Sequence, residues 1–200
     1  MIADREIQPG TRLVHQALAK QLGTSAMPVI EALRRLERDG LVNHVPHLGT
    51  FTKEFTVDDL QDFFSIRRGL ETEACRLFVR RATQAEKQKL QMLNQELNEL
   101  AIKEDIERFL EADLKFHMHI VSCARSPRLK EIIESRHIEE RIFQSAPELK
   151  GHGDTAKELV GVHDGIVRAV LDGNEDAAGE AMRCHLVEAE QHYLDAAKTD

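Results

Sequence analysis

The stretch that decides the fold of the N-terminal part of the chain is TSAMPVIEALRRLERDG, residues 24–40. Its apolar residues recur at the spacing of one helix face: Val29, Ile30, Leu33 and Leu36. Ser25 is a residue type that begins helices, and Pro28 is tolerated in the first turn. Gly40 is a typical helix stop. The pattern therefore predicts one amphipathic helix with a basic outer face.

The segments on either side complete a known plan. The preceding stretch RLVHQALAKQLG, residues 12–23, predicts a second helix that ends at a tight turn. The following stretch LVNHVPHLGTFTK, residues 41–53, predicts a small β-hairpin around Pro46–Gly49. Two helices alone are also consistent with a plain helical hairpin whose charged face is solvated. The hairpin favours a winged helix-turn-helix, a DNA-binding unit.

After Lys53 every periodic segment has helical spacing. Helices are predicted over residues 57–81, 84–101, 105–123, 127–145, 156–171 and 175–196. Thr83 with Glu86 has the spacing of a capping box, and Ser126-Pro127 and Asn174 also suit helix starts. The short connections predict antiparallel neighbours. The fold class is mainly α, with a winged helix-turn-helix over 1–54 and an all-α antiparallel bundle over 55–200.

Composition narrows the class of protein. The 200 residues have a formal net charge of −8, but residues 1–53 hold seven basic and five acidic groups and the remainder twenty and thirty. A mildly basic segment joined to an acidic one suggests two parts with different partners. The three cysteines form no Cys-x-x-Cys pair, and no export signal or membrane span is visible. We expect a cytoplasmic protein without a membrane partner.

Ionisable residues interrupt the apolar stripes of three predicted helices. Asp113 and His117 lie four residues apart on the inner face of 105–123, and His163 and His185 occupy inner faces of 156–171 and 175–196. A single inward histidine is more often a core residue whose hydrogen bonds are satisfied within the protein. Four together predict a divalent metal site, because a cation neutralises the carboxylate and uses the imidazoles. Three imidazoles favour Zn, Ni, Mn or Fe over Mg or Ca, and an open coordination position would accept a carboxylate ligand.

Several motifs resemble those of the GntR family of bacterial transcription regulators. The resemblance of the first part rests on PGTRL (9–13), LAKQLG (18–23), PVIEALRRLERDGLV (28–42) and GTF (49–51). The remainder is similar to the FadR-type effector domain, also called FCD, in IRRGLE (66–71), DLKFH (113–117), VH (162–163) and MRCH (182–185). The resemblance thus spans nearly the whole chain.

The resemblance implies a metal-dependent regulator and not an enzyme. By its pattern Asp113, His117, His163 and His185 bind a metal, with Zn first and Ni or Mn as alternatives, beneath a pocket for a small organic acid. Arg67 matches an arginine close to that pocket and is expected to pair with the effector carboxylate. The family further implies homodimers on two-fold symmetric operator DNA, and we expect repression. By the same resemblance we expect the first helix of the winged unit to be truncated.

The DNA-reading helix departs from the family pattern, because Ala26 and Ile30 stand where arginines are usual. The remaining expected DNA contacts lie at this helix and in the hairpin: Thr24, Ser25, Met27, Arg34, Arg35, His47, Gly49 and Thr50. Two other functions stay open. One is a metal-dependent phosphohydrolase using the His163-Asp164 dipeptide, and the other is a sensor that has lost DNA binding.

Overall fold

The computed structural model describes residues 1–2, 6–144 and 163–196. The chain divides into two compact units. The head consists of residues 1–56 together with a later helix, α7 (His137–Gln144), and the body consists of the helices that precede and follow α7 in sequence, from Val57 onward. None of the helices in the described part of the chain has both the length and the apolar character needed to cross a bilayer.

The head is a winged helix-turn-helix, as predicted. Helices α1 (His15–Gln21) and α2 (Ala26–Arg38) form the pair, and strands β2 (Val42–Val45) and β3 (Gly49–Thr52) form the hairpin, which we call the wing. The wing pairs antiparallel with Val42 opposite Thr52 and Val45 opposite Gly49. The core of the head contains buried apolar side chains from α1, α2, the start of the wing and the segments just before α1 and the wing: Leu13, Ala19, Val29, Leu41 and Val42.

A short third strand was not expected from the sequence. Residues predicted to begin the first helix instead form β1 (Arg12–Leu13), which pairs antiparallel with β3 in the sheet order β1-β3-β2. The backbone of Thr52 holds this end of the chain, because its carbonyl accepts a hydrogen bond from Gly10 N and its N–H donates one to Thr11 O. The Thr52 hydroxyl also accepts a hydrogen bond from Thr11 N at 2.8 Å. Two residues are too short for strand periodicity to be visible. The helix therefore begins at His15 and not at Arg12.

The body is an all-α bundle whose helix positions largely match the prediction. Its helices are α3 (Val57–Arg81), α4 (Gln84–Ile102), α5 (Ile106–Cys123), α6 (Pro127–Glu134), α8, of which residues 163–171 are described, and α9 (Glu175–Ala196). Helix α3 packs mainly against α9, and α5 against both α3 and α4. Residues 156–162 of the helix predicted over 156–171 lie outside the described residues.

The helix predicted over 127–145 is wrong as one element. The structure has two helices, α6 and α7 (His137–Gln144), separated by a turn at Ser135 and Arg136. The Ser135 hydroxyl donates to Ile132 O at 2.7 Å, a side-chain bond that competes with helix continuation. Helix α7 belongs to the head, where the rings of Phe143 and Phe55 lie edge to face 5.4 Å apart.

Helix starts in the body agree with the sequence signals. Thr83 and Glu86 form a complete capping box at α4, and Asn174 Oδ1 accepts from Ala177 N at 3.0 Å at α9. Pro127 occupies the first turn of α6, although the Ser126 side chain makes no capping bond. These caps set where each helix begins, and therefore which residues face the interior.

Candidate functional site

Four predicted ligands from three helices meet inside the body. Asp113 and His117 lie one turn apart on α5, His163 is on α8 and His185 is on α9. One ligand atom from each side chain can be chosen so that all four lie within 4.8 Å of one another. We call this group the ligand cluster. Each side chain reaches it because it replaces an apolar residue in its helix stripe.

The separations within the ligand cluster are those of atoms around one ion. His117 Nε2 lies 3.1 Å from His185 Nε2, and His163 Nε2 lies 2.9 Å from Asp113 Oδ1. Metal–nitrogen and metal–oxygen bonds of about 2 Å place two ligands of one cation about 3 Å apart. His117 Nε2 is also 3.7 Å from Asp113 Oδ1. The chemistry and spacing of the donors therefore fit a transition metal.

Burial supplies a second test of that fit. His163 is fully buried, and His117 and His185 are each 3% exposed. Among the described residues, His163 Nδ1 and His185 Nδ1 have no hydrogen-bond partner, and the polar group nearest to His163 Nε2 is the Asp113 carboxylate at 2.9 Å. Such orphaned groups cost about 1–3 kcal/mol each, so native proteins rarely keep them. A cation bound in the cluster would engage the inward-facing nitrogens His163 Nε2 and His185 Nε2, one from each ring.

Electrostatics keep Asp113 and His185 in the protonation forms that bind metal. Burial alone would raise the pKa of Asp113, but the neighbouring imidazoles of His117, His163 and His185 outweigh it and hold that pKa well below the usual range. Burial, with His163 and His117 nearby, keeps the pKa of His185 well below the ordinary histidine value. An ionised carboxylate and neutral imidazoles are the ligating forms.

Sequence reasoning missed Glu71, a buried carboxylate beside the cluster. Glu71 on α3 is 2% exposed, and its Oε2 lies 2.6 Å from His117 Nδ1. Burial alone would raise its pKa, but Arg67 and His117 outweigh burial and lower it to about 2. A signal was present, because Phe64, Arg67, Glu71 and Phe78 follow one inward stripe of α3. A charged residue in such a stripe marks a paired site.

Arg67, the predicted carboxylate partner of the effector, lies against this glutamate. Its Nε donates to Glu71 Oε1 at 2.5 Å, and its guanidinium lies over the rings of Phe63 and Phe64 at 5.5 and 5.8 Å from their centroids. Arg67 is therefore held in one place beside the cluster. Its pairing with an effector stays a prediction.

The DNA-contact candidates lie on the surface of the head. Five of them are exposed at α2 or in the turn before it: Thr24, Ser25, Met27, Arg34 and Arg35. In the wing, His47 is exposed and has a positive φ of 65°, and Gly49 has a φ of 113°. A groove of about 530 Å³ between α2 and the wing brings together Arg34, Gly49 and Thr50, and Arg12 also lines it.

The two positions that depart from the family pattern are less accessible than their neighbours. Ala26 and Ile30 are both half-buried, and Ile30 lines the groove. Met27, between them in sequence, is 63% exposed. A large exposed apolar side chain in the first turn of α2 is suited to contact with a thymine methyl group. The outer surface of α2 thus keeps polar, basic and apolar groups without the usual arginines.

Asp164, the residue of the alternative phosphohydrolase site, lies outside the ligand cluster. Its Oδ1 accepts a hydrogen bond from Asn94 Nδ2 on α4 at 2.5 Å. Although it follows His163 in sequence, the helical rotation between neighbours separates the two side chains. Of the His-Asp dipeptide, His163 belongs to the ligand cluster and Asp164 does not, within the described residues.

Comparison with known families matches both units. Residues 1–52 match the bacterial regulatory proteins of the gntR family, and residues 62–188 match the FCD domain. The second match covers more than half of the chain. The first match therefore lies in the head, and the second runs from α3, the first helix of the body, to α9, the last.

The chain is similar to transcriptional regulators over nearly its full length. The HTH-type transcriptional regulator YdhC of Bacillus subtilis is 29% identical, over 99% of this chain and 89% of its own. LutR of the same organism, also an HTH-type transcriptional regulator, is 27% identical over 95% of this chain and 94% of its own. The solved structure of Escherichia coli McbR/YncC superposes with a TM-score of 0.80 at 23% identity, covering 97% of this chain and 92% of that one.

Proposed function

Since the chain belongs to the gntR family of bacterial regulatory proteins and carries an FCD domain, we propose that it is a metal-dependent repressor that responds to a small organic acid. As a member of this family it is a transcriptional regulator and not an enzyme. In the proposal, residues 1–54 bind operator DNA and residues 55–200 bind metal and effector. The protein acts as a homodimer in the cytoplasm, where its DNA target lies.

The observation that carries the proposal is the convergence of four buried or part-buried donors, one from each of Asp113, His117, His163 and His185, within 4.8 Å of one another. Asp113, His117, His163 and His185 would hold the ion, which we propose to be Zn, with Ni or Mn as alternatives. Bound there, it supplies positive charge and open coordination positions for an anionic oxygen ligand. In five- or six-coordinate geometry, four protein donors would leave one or two positions free.

The proposed effector class follows from the charges around the cluster. Two carboxylates, Asp113 and Glu71, and one guanidinium, Arg67, surround the ion site, while the imidazoles are neutral when they ligate. A divalent ion would leave this group with a net charge of about +1, which attracts a small anion. A carboxylate is the anion whose oxygens suit both the metal and an arginine.

Binding of the effector would act on DNA affinity by shifting the body between two arrangements that hold the heads of the dimer at different spacings. The effector must bind one arrangement more tightly, since equal affinity for both shifts nothing. On the head, exposed Arg34 and Arg35 would contact phosphates, while Ser25 and Met27 would lie nearest the bases.

The metal proposal is tested by the metal content of the purified protein, measured by mass spectrometry after removal of loosely bound ions. We expect about one transition metal per chain, and strong loss in His163→Ala. The matched control is His15→Ala, an exposed histidine of the head. Unchanged metal content in His163→Ala would contradict the site.

The DNA proposal is tested by fluorescence anisotropy with duplex DNA from upstream of the protein's own gene and an unrelated duplex, each at two salt concentrations. We expect preferential binding that weakens with salt. Equal or absent binding to both duplexes would contradict operator recognition and favour a sensor that has lost DNA binding. Comparison of metal-loaded with chelated protein then tests metal dependence.

A further inference from the structure

Three side chains form a line from α3 to the ligand cluster. Arg67 Nε donates to Glu71 Oε1 at 2.5 Å, and Glu71 Oε2 lies 2.6 Å from His117 Nδ1. His117 Nε2, on the other side of the ring, lies 3.1 Å from His185 Nε2. Glu71 is 2% exposed and the Arg67 side chain 11% exposed, so water competes little for these bonds.

The chemistry of these groups determines where the proton of His117 lies. A guanidinium is only a donor, and an ionised carboxylate is only an acceptor. Glu71 therefore accepts on one side from Arg67 and on the other from His117 Nδ1–H. A neutral imidazole with its proton on Nδ1 has its lone pair on Nε2, which is the nitrogen that faces the cluster.

We propose that Glu71, held by Arg67, is a positioning residue that keeps the proton of His117 on Nδ1 and presents Nε2 to the ligand cluster. Glu71 is not among the residues expected to bind metal, effector or DNA, and Arg67 gains a role besides the expected one toward an effector. The consequence for metal affinity rests on the proposed metal site. The position of the proton does not, and can be measured without metal.

The sharpest variant is Glu71→Gln, which keeps the shape and removes the charge. Because Arg67 only donates, it attracts the amide oxygen, and the amide NH₂ then faces His117. That donor pairs with an unprotonated Nδ1 and moves the ring proton to Nε2, the nitrogen required for metal. We expect Zn²⁺ affinity to fall about 10- to 100-fold, the range for lost partners of ligating histidines.

A second variant separates positioning from a general loss of structure. In the double variant Arg67→Met with Glu71→Gln, the arginine no longer orients the amide, so its oxygen can turn toward His117 Nδ1–H. We expect the double variant to recover part of the Zn²⁺ affinity that Glu71→Gln loses. Simple damage to the bundle predicts the opposite, since two buried substitutions would lower the affinity further.

The matched control is Glu190→Gln, which removes another carboxylate from a part-buried arginine pair, Arg68 with Glu190, between α3 and α9. This pair makes no described contact to the cluster histidines, so the Zn²⁺ affinity of Glu190→Gln should equal that of the wild type. Affinities are measured by competition with a fluorescent chelator on the 200-residue chain, with the circular dichroism melting temperature recorded for each variant.

Nitrogen NMR of ring-labelled histidine in the metal-free protein at alkaline pH decides the tautomer. We expect the His117 proton on Nδ1 in the wild type and on Nε2 in Glu71→Gln. A wild-type proton on Nε2, or Glu71→Gln that binds Zn²⁺ like the wild type, overturns the role of Glu71. A wild-type protein that binds no Zn²⁺ but keeps the proton on Nδ1 overturns the metal site and supports the positioning.

Discussion

The ligand cluster of the body and the DNA-contact candidates of the head are constructed in opposite ways. Asp113, His117, His163 and His185 come from three helices, and their side chains are 15% exposed or less. The head candidates lie on one helix, its preceding turn and the wing, and Met27 among them is 63% exposed. The cluster is enclosed by the protein, whereas the head presents its groups to water.

This difference predicts how each region responds to change. Buried polar groups must find partners inside the protein, so the geometry of the cluster depends on the packing around it. Exposed side chains are satisfied by water and can change without a large effect on stability. Substitutions around the cluster should therefore alter stability and metal binding together. Substitutions on the head surface should alter DNA affinity alone.

The largest expected effect comes from Phe116→Ala. Phe116 is fully buried, and its ring lies edge to face with those of His117 and His163 at 5.6 and 5.0 Å. Loss of such a side chain costs about 3–5 kcal/mol of unfolding free energy, and we expect Zn²⁺ affinity to fall as well. Leu41→Ala, in the core of the head, should also destabilise but leave metal content unchanged. Denaturant titration and metal analysis measure both.

Removal of the metal should destabilise the body by a similar amount. A ligand that binds only the folded state stabilises it by about 2.7 kcal/mol when its free concentration is 100 times Kd. Calorimetry of metal-loaded and chelated protein should therefore show a lower melting temperature after chelation, and His163→Ala should show no such difference. A wild-type melting temperature that does not respond to chelation would contradict an internal metal site.

Metal binding should weaken as the pH falls. Burial lowers the pKa of His117, but Glu71 and Asp113 outweigh burial and raise it above the ordinary histidine value. The metal-free protein therefore keeps an extra proton on this ring, and the metal must displace it. Below that pKa each pH unit should cost about 1.4 kcal/mol, a factor of ten in affinity. Titration calorimetry in buffers of different protonation enthalpy should detect the released proton, and a buffer-independent enthalpy would contradict it.

The smallest effects belong to the head surface. Arg34→Ala and Arg35→Ala should each weaken DNA binding by about 1 kcal/mol, the size of an exposed charge pair. Each should also reduce the slope of log binding constant against log salt concentration by about one, since one phosphate contact is lost. Stability and metal content should not change. Arg128→Ala, an exposed arginine of the body, is the control for lost positive charge. Anisotropy titrations at several salt concentrations distinguish these variants, and a salt dependence equal to that of the wild type would remove these residues from the interface.

Much of the fold could be predicted because its signals are local. The capping box of Thr83 and Glu86 and the cap at Asn174 were confirmed, and the helix-turn-helix and wing follow from the glycine and proline positions around α2. Short elements were harder. The strand at Arg12 and Leu13 depends on pairing with β3, and the break at Ser135 is accompanied by a side-chain bond to Ile132. Neither has a periodic signal.

The sequence by itself determined that Asp113, His117, His163 and His185 lie on inward faces, because helical periodicity assigns each residue a side of its own helix. Tertiary structure alone decided that their ligand atoms meet within 4.8 Å, and that Glu71 and Arg67 lie next to His117. Periodicity carries no information on how far helices slide or rotate against one another. That choice depends on the packing of every buried side chain at once.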